Sequence, residues 1–191
     1  MKSTLLFIFL LISISSVAQK TTILITLKTG EIFQTHKLSE KKDALKFEDE
    51  KGDSQLINLS KIETIISTGK KEKGNYTKRY IMYSKTKGDL MEEIVNGFVK
   101  LYRRSEFKMT GVGAMGAPTT ATIIDYYVKK DSEPIATYLQ GSNVAYGSYR
   151  KNVKEYFNDC EALLAMVNND NFKRSKIDEV VEFYNSTCAI K

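Results

Sequence analysis

The chain has no tryptophan, one histidine, two cysteines and two prolines in 191 residues. A single histidine, His36, rules out a histidine-rich metal site and any dyad that needs a second imidazole. His36 falls inside an alternating run and reads as a strand-surface residue. No G-x-S-x-G motif is present, and Ser142 and Ser148 sit in GSN and GSY, which read as turns. Glu48, Asp49, Glu50 and Asp53 cluster, but they lack the regular spacing of oxygen ligands in a calcium loop and read as a hairpin tip. Glu92 and Glu93 are adjacent on an expected strand, so they point to opposite faces and cannot act as one acid pair. A pair drawn from distant positions stays open. No catalytic residue, metal ligand or cofactor-binding residue is assigned, and no cofactor is expected.

Long apolar runs are also scarce. The main one is LLFIFLLISI, residues 5 to 14, with Lys2 before it and the small residues Ser16 and Ala18 after it. That order is the signature of a signal peptide over residues 1–18, cut between Ala18 and Gln19. The competing reading is a retained anchor, but ten apolar residues fall well short of the roughly 20 that span a bilayer as a helix. Cleavage would delete Lys2 and lower the net charge from +6 to +5. The expected location is exported: periplasm, outer cell surface or extracellular, with no transmembrane segment left. A net positive charge biases the chain toward anionic surfaces. Nucleic acid is not an expected partner, because no recognised binding module is present.

Export gives the two cysteines their meaning. Cys160 and Cys188 form an even pair in an oxidising compartment and are expected to be bridged; the alternative is two buried free thiols. The bridge closes a loop of about 27 residues, which the chain-entropy treatment values at roughly 3 to 4 kcal/mol.

The hydrophobic pattern gives an α+β chain. Residues 19–67 read as a small antiparallel β module. TTILITL alternates, Thr29-Gly30 marks a turn, EIFQTHKL resumes the alternation, and ALKFED and SQLINL flank the turn EKGD. Ser60 to Glu63 fits a capping box around one helical turn before ETIIS ends as a strand. Five short strands suggest an SH3-like or Sm-like barrel. TGKKEKGNYTKR, residues 68–79, reads as a basic linker, with an anion-binding strip as the sharper alternative. All eleven tyrosines lie between Tyr76 and Tyr184, so residues 80–191 form the second unit.

That unit begins with a tyrosine-rich antiparallel sheet. YIMYSK, LMEEIV, FVKLYRR, TIIDYYVKK and PIATYL read as strands, and Asn96-Gly97 suits a type I′ turn. The last forty residues switch to helical spacing. Asp159 is the expected cap of a helix carrying Leu163, Leu164 and Val167. Ser175 is the expected cap of another, with Ile177, Val180, Val181 and Tyr184 at i, i+3, i+4 and i+7. A shorter helix is expected near Val153 to Phe157. An antiparallel pairing of the last two helices would bring Cys160 beside Cys188.

GVGAMG, residues 111 to 116, fits G-x-G-x-x-G, but a cationic run leads in and a proline with a β-branched run leads out. A dinucleotide fingerprint needs a buried strand before it and a helix after it, so the stretch reads as a loop joining two strands. Tyr102, Tyr126, Tyr127 and Tyr138 are the candidate ligand-binding surface. Alternation sends Tyr126 and Tyr127 to opposite faces, one packed in the core and one free to stack on sugar rings or a protein partner. Ordinary sheet packing is the competing reading for all four.

The leader ending in AQ, then LKTGEIFQ, INLSKIETI, NGFVKLYRR, DYYVKK, KEYFNDCEAL and VVEFYNSTC, resembles a group of small exported, uncharacterised proteins of Gram-negative bacteria with a helical tail marked YF-x-DC and YN-x-x-C. The resemblance implies a stand-alone envelope or secreted protein and carries over no catalytic residue. It says nothing about a ligand; the missing catalytic motifs together with export give the function expected, non-enzymatic binding or a structural role, with an envelope glycan, an anionic surface or another envelope protein as partner. The alternatives are a carboxylate-dependent hydrolase acting on glycans or peptidoglycan, and a purely structural or assembly role.

Overall fold

The computed structural model describes residues 21–69, 75–112, 117–142, 146–169, 172 and 174–189. The expected leader 1–18, the lysine-rich centre of the expected linker and most of GVGAMG lie outside the described residues. The architecture is α+β: an eight-stranded antiparallel sheet, a three-stranded sheet and three helices.

Strand β1 (Thr22–Leu27) buries Ile23, Ile25 and Leu27 in strict alternation. It turns at Gly30, whose φ of 85° lies in the left-handed region that glycine enters freely, and pairs with β2 (Ile32–Thr35). The expected single strand EIFQTHKL breaks here. The Thr35 hydroxyl donates to Lys37 O (3.0 Å) and accepts from Lys37 N (3.2 Å), a local ring that competes with the sheet ladder. His36 therefore sits at a bend rather than inside a strand, with Nδ1 2.9 Å from Thr21 O.

Past the bend, β3 (Leu38–Glu40), β4 (Ala44–Glu48) and β5 (Ser54–Asn58) form the separate three-stranded sheet. The acidic cluster is a hairpin tip, as expected. Asp49 accepts from the backbone N–H of Lys51 and Asp53, each at 3.0 Å. A single 3-10 turn, Leu59–Lys61, then leads into β6 (Ile62–Thr68). Asn58 caps that turn, accepting from Ser60 N at 2.9 Å, so the expected capping box from Ser60 does not form.

β6 pairs with β1, and the two sheets stack over Ile25, Leu45, Phe47, Ile62 and Ile65. They do not close on each other, so the SH3-like or Sm-like barrel is not formed. The chain leaves the small sheet through the turn and joins the large one instead.

The large sheet continues across the change in composition. β7 (Tyr76–Met82) pairs with β6, so Tyr76 to Arg79 of the expected linker are strand. Their cationic side chains are partnered: Lys78 with Glu40, and Arg79 with Glu93 at 2.7 Å. β8 (Gly88–Val95), β9 (Val99–Val112), β10 (Pro118–Lys130) and β11 (Thr137–Gly141) complete the order β11-β10-β9-β8-β7-β6-β1-β2.

The Asn96-Gly97 hairpin forms, but not as a type I′ turn, because Gly97 does not enter the left-handed region. A helix shapes the turn instead. Val99 N donates to Asn185 Oδ1 and Asn185 Nδ2 donates to Val99 O, both at 2.8 Å, so a side-chain amide takes the place of a strand partner. Glycine is needed at 97 because a Cβ there would lie 2.4 Å from Asn185 Nδ2.

The helices are α1 (Tyr146–Tyr156), α2 (Glu161–Asn168) and α3 (Ile177–Thr187). They cover one face of β8 to β11 and enclose a core with Val99, Leu101, Val128, Leu139, Val153 and Val181. Asn152 ties α1 to β11 by donating to Leu139 O at 2.9 Å. Ser148 is helical rather than in a turn. Neither expected cap operates. Asp159 accepts instead from the Tyr184 hydroxyl at 2.8 Å, and Ser175 lies inside a 3-10 turn, Arg174–Lys176, that runs into α3. The cap positions fall to Cys160 and Lys176, neither of which caps through its side chain. The disulfide is present: Cys160 and Cys188 are joined with Cα atoms 5.8 Å apart, linking the start of α2 to the end of α3.

Replacing both cysteines (Cys160→Ser with Cys188→Ser) should lower the unfolding free energy by about 3 kcal/mol in urea titration while leaving the secondary structure in place. A loss below about 1 kcal/mol would mean that packing alone holds the helices together.

Candidate functional site

The β7 to β11 half of the sheet curls strongly. Ala136, at the entry to β11, donates its N–H to Met82 O at the end of β7 (2.8 Å), although three strands separate β7 from β11 in the sheet order. The inside of the curl holds Ile81, Met91, Tyr102, Tyr127 and Ala136, with Tyr83 and Tyr138 packed against them. Tyr83 and Tyr127 rings lie 5.7 Å apart and Tyr127 and Tyr138 rings 5.5 Å, in tilted and edge-on arrangements.

This placement separates the four candidate tyrosines. Tyr102 and Tyr127 are 3% and 7% exposed, paired directly across β9 and β10, and burial pushes both phenols above their usual range. Half-buried Tyr138 joins them on the inner face. Tyr126 points the other way, as alternation requires, and packs against the edge of the helical core. Glu92 and Glu93 divide in the same manner: Glu92 pairs with Arg103 and Glu93 with Arg79, each at 2.7 Å.

At the rim of the curl, Arg104 gathers three carboxylates: Asp89 at 2.8 Å, Glu106 at 3.2 Å and Asp125 at 3.7 Å. Its guanidinium also lies over the Tyr83 ring, 5.2 Å from the centroid. Burial works against the Arg104 charge, but the Asp89 hydrogen bond and the surrounding negative charge outweigh it and hold the group protonated. Asp125 behaves differently. Burial pushes its carboxyl above the usual range, and although Arg104 opposes the shift, Glu106 adds to it. The Asp125 carboxylate also lies so close to Gly141 that a Cβ there would meet Oδ1 at 2.1 Å.

On the opposite face of β10 and β11 lies a groove of about 580 Å³. Among the described residues it is lined by Ile124, Tyr126, Gln140, Gly141, Ser142 and Ser175. Ser142 closes its end, donating its N–H to Ile124 O (2.8 Å) and accepting from Ile124 N through Oγ (3.2 Å). Tyr126 thus presents a half-buried ring beside hydroxyl and amide groups. Of the sequence candidates, only Tyr126 lines this groove.

Sequence reasoning missed Gln140, Gly141, Ser175, Arg104 and Asp125. Strand alternation could have set Arg104 and Asp125 on one face had the β9–β10 register been known, but nothing local announces Ser175. Among the described residues no group of three or more His, Cys, Asp or Glu side chains is arranged to hold a metal ion, and no helix is long and apolar enough to cross a membrane. Comparison with protein-family models, with curated proteins and with solved structures finds no match to this chain.

Because the folded state raises the Asp125 pKa, it binds more protons than the unfolded state just above the ordinary carboxylate value. This group's contribution therefore falls as pH rises through that window. Urea titrations from about pH 3 to about pH 7 should show Asp125→Asn gaining stability relative to the parent as pH rises. A difference independent of pH would remove the burial argument.

Proposed function

We propose that this chain is an exported, non-enzymatic binding protein of the bacterial cell envelope or secreted fraction, and that it holds a polyhydroxylated glycan segment in the Tyr126 groove. The observation that carries this reading is the groove itself. A flat aromatic ring beside Ser142, Ser175 and Gln140 offers apolar area for a sugar face and hydroxyl or amide groups for its rim. The Cys160–Cys188 disulfide suits an oxidising compartment. The signal-peptide pattern and the resemblance to small exported proteins of Gram-negative bacteria point the same way.

A second reading, a carboxylate-dependent hydrolase acting on glycans or peptidoglycan, draws on the Arg104 cluster. Asp125, with its raised pKa, stands near Asp89 and Glu106 around one guanidinium, and a raised carboxyl is what general-acid chemistry needs.

Titration calorimetry of the chain lacking residues 1–18 against soluble peptidoglycan and envelope-polysaccharide fragments separates the two. Binding without release of new reducing ends, weakened roughly tenfold or more by Tyr126→Ala, is expected. Turnover abolished by Asp125→Asn would favour the hydrolase. Unchanged affinity in Tyr126→Ala would place the ligand elsewhere.

A further inference from the structure

The longest strands in the molecule outrun their neighbours. β8 pairs with β9 only as far as Arg103, and β11 pairs with β10 only as far as Asp125. Beyond those points Ser105 to Val112 and Pro118 to Ile124 pair with each other, and Ile124 has a further main-chain partner, Ser142, among the described residues. Two-stranded ribbons are marginal in water, yet this one carries Phe107 at 72% and Met109 at 71% exposure, the most exposed large apolar side chains among the described residues.

The outer edge of β9 is open and its polarity can be read. Ile124 turns both its N and O to Ser142, away from β9. Its register partner Ser105 must then turn its own N and O away from β10, and so must Phe107 and Met109. Val99, on the same parity of the strand, turns its backbone outward to Asn185. Serine, phenylalanine and methionine at 105, 107 and 109 thus present a free backbone ladder, with no partner among the described residues for these main-chain groups.

We propose that this edge pairs with the same edge of a second copy of the chain, antiparallel about a two-fold axis at Phe107. The sequence there is self-complementary. Phe107 meets Phe107 of the second copy and exchanges both backbone hydrogen bonds with it. Ser105 meets Met109, and Glu106 meets Lys108, each contact occurring twice. Opposite charges fall opposite each other on one face, and the two phenylalanines cover each other on the other. An unrelated strand would have no reason to match Glu106 and Lys108 reciprocally, which is why a second copy is the occupant. The contact joins two ribbons into a four-stranded sheet and closes an edge that would otherwise invite uncontrolled pairing.

Sedimentation equilibrium of the chain lacking residues 1–18, from low micromolar to submillimolar concentration, tests this. A reversible dimer is expected. Glu106→Lys should weaken it roughly tenfold, because two like-charge pairs replace two opposite ones. Lys108→Glu alone should weaken it similarly. The double variant Glu106→Lys with Lys108→Glu should restore it to within about threefold, since the exchange preserves the pairing. A monomer at every concentration overturns the proposal. So does a dimer that Glu106→Lys leaves unchanged, or one that the double exchange fails to restore.

Discussion

The two hydrogen bonds between Val99 and the Asn185 amide join the sheet to its helical cover. β8 ends at Val95, and the next outward-facing backbone group on β9 would be left without a partner at the mouth of a buried core. A buried, unpaired backbone group costs on the order of 1 to 3 kcal/mol. Asn185 removes that cost by behaving as a one-residue strand. The same contact fixes the depth and rotation of α3, which brings Ile177, Val180, Val181 and Tyr184 onto the sheet. With α3 in place, Cys188 reaches Cys160 and the Tyr184 hydroxyl reaches Asp159, where burial and the acid push that phenol up to about 12.

Once one face of β8 to β11 is committed to helices, the opposite face must find another cover, and the sheet supplies it by curling on itself. Tyr102 and Tyr127 are consumed in that packing, with Tyr83 and Tyr138 beside them. Tyr126, one residue away, is displaced to the border between helices and sheet, where the groove opens. Arg104 belongs to the same economy of faces. It lies on the inner side, where a lone guanidinium would be costly, and three carboxylates and an aromatic ring balance it. The polar cluster, drawn from β8, β9 and β10, and the groove along β10 and β11 thus lie on opposite faces of the sheet and meet at β10.

What could be read from the residues was what depends on near neighbours. The alternation of TTILITL and ALKFED, the 3.6-residue spacing of Ile177 to Tyr184, and the pairing of the only two cysteines all reflect local pattern or simple scarcity, and each appears in the structure. The failures share a different cause. Thr35 broke a strand through a side-chain ring that propensity does not weigh. Asn58 displaced Ser60 as a cap, and Asp159 was drawn from capping by Tyr184, twenty-five residues away. Gly97 was read as a turn glycine, whereas its lack of a side chain makes room for Asn185. The barrel expected for the first unit failed because β6 pairs with both β1 and β7, a choice of partner that no short window records. For the candidate groove, alternation made it legible that Tyr126 and Tyr127 face opposite ways, but not that Gln140 and Ser175 stand beside Tyr126, because their meeting depends on where the helical layer sits.

Hydrogen exchange at the Val99 amide under native conditions tests the central claim most directly. If Asn185 completes the sheet there, that amide should be protected to the level of global unfolding, alongside Leu101 within the same strand, although it borders a turn. Exchange as fast as that of the neighbouring Asn96 and Gly97 amides would contradict the account, because it would mean that the helix rests on the sheet without holding it.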